Sequence, residues 1–248
     1  MQFDFVAENQ STLTDAAHGG ALDVGALEML VWAGQYMLIG CGDQKPQVTV
    51  CDEYGGRATV RVGTADPAKG EIAVIIRDDY PSQPGAGGWH TDENGRPAVF
   101  VSRQYSSSLL TGAFSLSELF THEITEALAD AGANRKATRL GGLIDEAFEP
   151  GDRCEGDVWT TPNGVDVCNW LLSSAFLPGA PGPWDFKGTL KGQYDKTPNG
   201  YAIRWKAGSP LPDQAEIEGT PHPSQMGRIR SPYSRVQRRF RGLTRERI

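Results

Sequence analysis

The segment 115–130 constrains the fold more than any other part of this 248-residue chain. Ser115 followed three residues later by Glu118 is the pattern of a capping box, which marks the start of a helix. The apolar residues that follow recur at the spacing of a helix with one buried face. They are Leu116, Leu119, Phe120, Ile124, Ala127 and Leu128. A helix over 116–130, packed on a core by this face, is therefore predicted.

The same helix carries a set of ionisable side chains in the order His122, Glu123 and Glu126. Residues four apart on a helix lie one turn above each other, so His122 and Glu126 are predicted to project side by side, with Asp130 one turn further on. This is the spacing of the zincin helix, His-Glu-x-x-His, with Glu in place of the second His. In that helix the first and fifth residues hold a metal, and the intervening Glu takes a proton from metal-bound water. The spacing thus predicts a catalytic role for Glu123 as general base.

The predicted cofactor is a divalent metal, with Zn²⁺ favoured over Ca²⁺. Imidazole and carboxylate both bind zinc, but a carboxylate adds negative charge, makes a bound water a weaker acid and favours harder cations. Further ligand candidates are His90 and the five carboxylates of the acidic run 145–155. The alternatives are a solvated acidic helix face, a polar loop, and a histidine that forms hydrogen bonds within a loop.

The remaining pattern predicts an α+β fold, rich in loops, with a mixed or antiparallel sheet. The sheet is expected to pack on the 116–130 helix and on a second helix over 21–36, where apolar residues again recur every three or four positions. Residues 1–19 are expected to form an arm or a first strand. Alternation or short apolar runs predict strands over 47–51, 57–62, 72–76 and 98–101.

Composition divides the chain near residue 205. Residues 1–205 are predicted to form a single domain with a zincin-like core over about 75–205, and 206–248 to form an extended C-terminal arm. The last part of the arm, 221–248, contains eight arginines and one acidic residue, although the net charge of the whole chain is −7. The acidic domain should repel nucleic acid, whereas the basic arm suits binding to acidic protein surfaces.

Composition also excludes several classes of protein. No run approaches the roughly 18 apolar residues of a membrane span, so no membrane partner is expected. The residues Met1–Phe5 lack the basic region of a secretory signal. Four cysteines, none of them in a Cys-x-x-Cys pair, are too few for a disulfide scaffold and argue against a four-cysteine zinc site. They are predicted to be free, buried thiols.

Several stretches, in a fixed order, resemble a set of tailed-bacteriophage proteins. Those proteins carry a Gly-Tyr-His-Asp loop, a Gly-x-Pro strand and a Ser-His-Glu-Val-x-Glu-x-x-x-Asp-Pro helix, followed by an acidic segment, an aromatic stretch and a Gly-Gly-Tyr turn. The counterparts here are Gly88–Asp92, Gly95–Val101, Leu116–Asp130, Glu149–Glu155, Trp170–Phe176 and Tyr194–Tyr201. This chain departs in having Trp89 for Tyr, Ala131 for Pro, and Pro150-Gly151 interrupting the acidic segment.

The resemblance implies a structural protein of the virion, assembled in the host cytoplasm, with a zincin-like element that is not necessarily an active peptidase. Its partners would be other phage structural proteins and further copies of the same chain. The likeness assigns the candidate site to eight residues, which are His90, His122, Glu123, Glu126, Asp130, Glu149, Asp152 and Glu155, and it leaves open which of the last three is the third ligand.

Three functions remain open at this point. The favoured one is a structural component of the tail, connector or baseplate region, in which a metal clamps 145–155 onto the helix and basic arms strap the subunits of a homo-oligomer. The second is an active virion-associated metallopeptidase that uses Glu123 as general base. The third, direct DNA contact by the arginine-rich arm, ranks last because the domain before the arm is acidic.

Overall fold

A computed structural model describes residues 1–81, 86–92, 96–139, 141–208 and 216–221 of the chain. Helices and strands alternate in the first half of the described chain, whereas the second half consists of short strands joined by loops. The predicted α+β class is therefore confirmed. The residues 209–215 and 222–248, which contain most of the predicted arm and all its arginines, lie outside the described residues, as does Gly95.

The main sheet has five strands in the order β2-β1-β3-β5-β4. They are β1 (Gln2–Asn9), β2 (Arg57–Val62), β3 (Ile72–Arg77), β4 (Gly88–Asp92) and β5 (Pro97–Ser102). The neighbours β2, β1, β3 and β5 run parallel, and β4 pairs antiparallel with β5 at the edge. The sheet is thus mixed, as predicted. The first residues of the chain form an internal strand, β1, which lies between β2 and β3, rather than an arm.

Two of the three α-helices were predicted. They are α1 (Val24–Ile39), α2 (Val50–Tyr54) and α3 (Leu116–Ala129). The helix α1 starts later than predicted because the Asp23 side chain accepts a hydrogen bond from the Ala26 N–H and caps the helix there.

The predicted strand over 47–51 is wrong, because α2 begins within it. Thr49 accepts a hydrogen bond from the Asp52 N–H, and the Asp52 carboxylate accepts one from the Thr49 N–H. This reciprocal capping box stabilises a helical turn, and it outweighs the strand-like alternation of the preceding residues.

The second half of the chain builds a smaller sheet and a hairpin over α3. The sheet has the order β11-β10-β7-β6, and β8 pairs with β9. The strands are β6 (Lys136–Thr138), β7 (Ile144–Ala147), β8 (Val158–Thr160), β9 (Asp166–Cys168), β10 (Tyr201–Lys206) and β11 (Glu216–Gly219). Short 3₁₀ turns lie at Ala16–His18, Pro67–Lys69, Arg103–Tyr105, Asp152–Cys154 and Ser173–Phe176. The strand β11 falls within the segment predicted as an extended arm.

The helix α3 is enclosed on all sides. It packs against β4, β5, β9 and α1, and Gly34 of α1 allows this close approach because a Cβ there would lie 2.9 Å from Ile124 Cδ1. All the residues of α3 are buried, the ionisable ones included. A solvated acidic helix face, the main alternative to a metal site, is therefore excluded.

The cysteines are free thiols, as predicted, although Cys41 and Cys51 are only partly buried. Burial raises the pKa of Cys168 to about 12, and burial with a smaller effect of Asp52 raises that of Cys51 to about 11. Both thiols are therefore protonated at neutral pH. Among the described residues, no helix has the length and hydrophobicity that crossing a membrane requires.

Candidate metal centre

A buried glutamate fixes the start of α3 beside the candidate ligands. The Ser115 hydroxyl accepts a hydrogen bond from the Glu118 N–H at 3.2 Å, as the capping pattern predicts. The Glu118 carboxylate, however, accepts from the N–H groups of Phe114 and Gly156 rather than from Ser115. Burial raises the pKa of Glu118 to about 7, although these hydrogen bonds and His122 oppose the shift. Glu118 therefore ties α3 to the loop that follows the 3₁₀ turn at 152–154.

The first two ligand candidates on α3 meet as the spacing predicts. His122 Nε2 lies 3.0 Å from Glu126 Oε1, one helical turn away. Glu123 belongs to the same group, in which one donor atom from each of the three residues lies within 4.8 Å of the others. All three side chains are at most 2% exposed.

The third candidate comes from the edge of the main sheet. The resemblance placed His90 in a loop, but it lies on β4, where it pairs with Val99 of β5. Its Nδ1 is 3.5 Å from Glu126 Oε2 and 3.7 Å from Glu123 Oε2. Its Nε2 donates a hydrogen bond to the Asp130 carbonyl oxygen at 3.1 Å. A backbone carbonyl on one ring nitrogen is the usual partner that orients a metal-binding histidine through the other nitrogen.

The acidic run brings its three predicted carboxylates to the same place. Glu149 Oε2 lies 3.9 Å from His90 Nε2. Asp152 Oδ1 lies 3.5 Å from His122 Nε2, and Glu155 Oε2 lies 3.7 Å from His122 Nδ1. All three side chains are buried. The structure thus brings together all three carboxylates that the sequence offered as alternative ligands.

Asp130 differs from the other candidates. Its carboxylate accepts hydrogen bonds of 2.5 Å from the backbone N–H groups of Asn134 and Arg135, so it closes the turn after α3. Its link to the cluster is through its backbone carbonyl, which orients His90. In the described part of the chain, Asp130 is in none of the three groups of donors spaced for a metal.

Two glycines that no sequence pattern marks as site residues allow the cluster to close. A Cβ on Gly151 would lie 2.7 Å from the Nδ1 and Cε1 atoms of His122, and one on Gly88 would lie 2.7 Å from Glu123 Cγ. Both contacts are shorter than a methyl group tolerates, so the backbone itself packs on the two side chains. Gly151, which seemed only to interrupt the acidic segment, is what allows that segment to reach His122.

The electrostatics of the cluster favour a bound cation. Two imidazoles meet the carboxylates of five residues, Glu123, Glu126, Glu149, Asp152 and Glu155. The buried guanidinium of Arg153, nearby in sequence, is directed to Glu146, with Nε 3.0 Å from Oε1. Burying carboxylates away from water is costly without compensating positive charge. Burial alone would lower the pKa of His122, but Glu126, Glu155 and Asp152 together raise it well above its ordinary value.

The donor set fits a divalent metal of the zinc or manganese type. Imidazole nitrogens and carboxylate oxygens are ligands of such cations, and the donor groups contain no thiolate. No known protein family, curated protein or solved structure matches this chain. The resemblance to tailed-phage proteins therefore stays a prediction from its motifs.

Proposed function

We propose that this protein is a structural component of a tailed-phage particle, in the tail, connector or baseplate region, whose domain is held together by divalent metal. The observation that carries the metal part is the burial of two histidines and five carboxylates, Glu126 among them, in one cluster. The virion part rests on the motifs shared with tailed-phage proteins and on the basic C-terminal segment.

The metal would join elements that are distant in sequence. His90 belongs to β4, Glu126 to α3, and Asp152 to the 3₁₀ turn of the acidic run. A cation bound by all of them supplies charge compensation and holds the sheet edge and the acidic run against the helix. Metal binding free energy of this kind adds directly to the stability of the folded domain.

A structural role is favoured over hydrolysis because of burial. A hydrolytic metal site keeps one ligand position open to water and substrate. Every candidate ligand here is at most 7% exposed, and Gly88 packs against the Glu123 carboxyl group. A closed site of this kind is typical of a metal that holds parts of the fold together.

Metal content measured by elemental mass spectrometry tests the proposal. Wild-type protein is expected to retain zinc or a similar divalent cation after desalting, and the double variant His122→Ala/Glu126→Ala should lose it. The matched control is His18→Ala/Glu28→Ala, which removes the same residue types from outside the core. The proposal would be contradicted if the wild-type protein retained no metal and the double variant were equally stable. Stoichiometric presence in purified particles tests the virion part separately.

An active metallopeptidase is the second candidate, and one observation favours it. Glu123 lies in the same donor group as His122 and Glu126, as a general base next to a metal would. Glu123→Gln should then abolish hydrolysis of a denatured polypeptide substrate while metal content and folding are retained. Absence of chelator-sensitive hydrolysis in the metal-loaded wild-type protein would rule this candidate out.

A further inference from the structure

We infer that the buried cluster is a two-cation centre in which the carboxylate of Glu126 bridges one cation beside His90 and another beside His122. The inference rests on the proposed metal function and extends it from one ion to a pair.

The two oxygens of Glu126 face different histidines. Oε1 lies 3.0 Å from His122 Nε2, whereas Oε2 lies 3.5 Å from His90 Nδ1. Each donor group spaced for a metal in the described chain contains one histidine. A carboxylate that presents one oxygen to each of two imidazoles has the arrangement of a bridging ligand.

The subsite beside His90 has its own donors. Glu126 and Glu149 each place an oxygen within 4.8 Å of a His90 nitrogen and of each other, and Glu123 Oε2 lies 3.7 Å from Nδ1. The hydrogen bond from Nε2 to the Asp130 carbonyl fixes the ring so that Nδ1 faces Glu126 and Glu123. This subsite therefore has an oriented imidazole and carboxylates from α3 and from the acidic run.

The subsite beside His122 has a separate set. Asp152 and Glu155 form a donor group with His122, and Gly151 packs on the ring and sets its position. None of these three residues occurs in the group around His90 and Glu149, whereas Glu126 and Glu123 each lie near both histidines. The chain thus offers each cation its own histidine and its own carboxylates.

Charge balance also favours a pair. Ligands that bind a metal are deprotonated, so five carboxylates and two imidazoles would leave about three negative charges around one divalent cation but about one around two. Two-metal sites in proteins hold their ions about 3.5–4 Å apart, a separation that a shared carboxylate supports.

Manganese binding tests the inference on the full chain. Native mass spectrometry of metal-depleted protein titrated with Mn²⁺ should show two ions per chain for the wild type. His90→Ala and Asp152→Asn should each retain one ion, and the control His18→Ala should retain two. Electron paramagnetic resonance of the wild type at two equivalents should show an exchange-coupled pair, a readout that does not depend on any variant folding.

The possible outcomes separate this inference from the proposed function. Two ions with a coupled spectrum support the bridged pair. One ion per chain, with the spectrum of isolated Mn²⁺, overturns the pair but leaves a single-metal clamp intact. No retained ion, of manganese or of zinc, overturns both.

Discussion

The backbone of Gly151 packs directly on the imidazole of His122, so that a Cβ at position 151 would lie 2.7 Å from Nδ1 and Cε1. The contact joins the acidic run to α3, and it holds the ring that faces Glu126, Asp152 and Glu155. The orientation of the His122 ring thus depends on the absence of one methyl group on a neighbouring segment.

Gly151→Ala should therefore displace His122 and weaken metal binding. Residues that only orient a ligand typically change metal affinity by roughly 10–100-fold when altered, and a loss of this size is expected. The measurement is competition with a chromogenic chelator. Gly25→Ala is the matched control, because the nearest atom to its added Cβ is 3.5 Å away. Unchanged affinity in Gly151→Ala would show that the His122 ring position does not matter for binding.

Gly88→Ala should act on the other side of the cluster. The added methyl group would lie 2.7 Å from Glu123 Cγ and 2.8 Å from Oε1, so the carboxylate must move from its place beside His90. We expect one of the two Mn²⁺ ions to bind more weakly, by roughly 10-fold or more, while the other is retained. Isothermal titration calorimetry with Mn²⁺ measures these affinities in Gly88→Ala and in the control Gly25→Ala. Equal weakening of the binding of both ions would show that Glu123 serves both subsites rather than the one beside His90.

Removing the metal should destabilise the wild-type domain. A ligand present at about 100 times its dissociation constant stabilises the folded state by roughly 2.7 kcal/mol, so a chelator should lower the thermal midpoint by several degrees. The variant His122→Ala/Glu126→Ala should melt at the same temperature with and without chelator. Differential scanning calorimetry with and without added Zn²⁺ checks both statements. If the thermal midpoint of the wild type is the same with and without chelator, the metal does not stabilise the domain.

The features of the site that depend on local sequence could be predicted. The apolar spacing from Leu116 to Leu128 depends only on helical geometry, and the same geometry brings His122 next to Glu126. The start of α2 was missed because its capping box, Thr49 with Asp52, lies in a stretch that alternates like a strand. The capping box and the strand-like alternation overlap there, and the side-chain hydrogen bonds of the capping box stabilise the helix.

The sharing of Glu126 between two histidines could not be predicted. It depends on β4 pairing at the sheet edge beside α3, which places His90 against Glu126, more than thirty residues away in sequence. It also depends on Pro150-Gly151, which looked like an interruption in the acidic run but provides the close contact to His122. Contacts of this kind come from strand order and from backbone approach, which a linear pattern does not encode.

Asp78 provides a pH-dependent contribution to stability that is independent of the candidate metal centre. It follows β3, and its carboxylate accepts hydrogen bonds from the hydroxyls of Ser11 and Thr12 and from the N–H groups of Thr12 and Leu13. Burial raises the pKa of this carboxyl, but the hydrogen bonds outweigh burial and lower it to about 2, from an ordinary value of 3.8. The carboxylate therefore secures the segment after β1 to the end of β3.

Because the folded-state pKa is below the unfolded one, this stabilisation is present above pH 4 and is lost as the pH falls toward 2. By linkage this contribution is at most about 2 kcal/mol at neutral pH, because solvent screens this partly exposed group. Asp78→Asn should therefore have a lower free energy of unfolding than the wild type at pH 6, and the difference between the two proteins should be smaller at pH 2.5. Urea unfolding of chelated protein at both pH values measures the gap, with the exposed Asp43→Asn as control. A gap that stays constant with pH would mean that the ionised form of Asp78 is not what stabilises the fold.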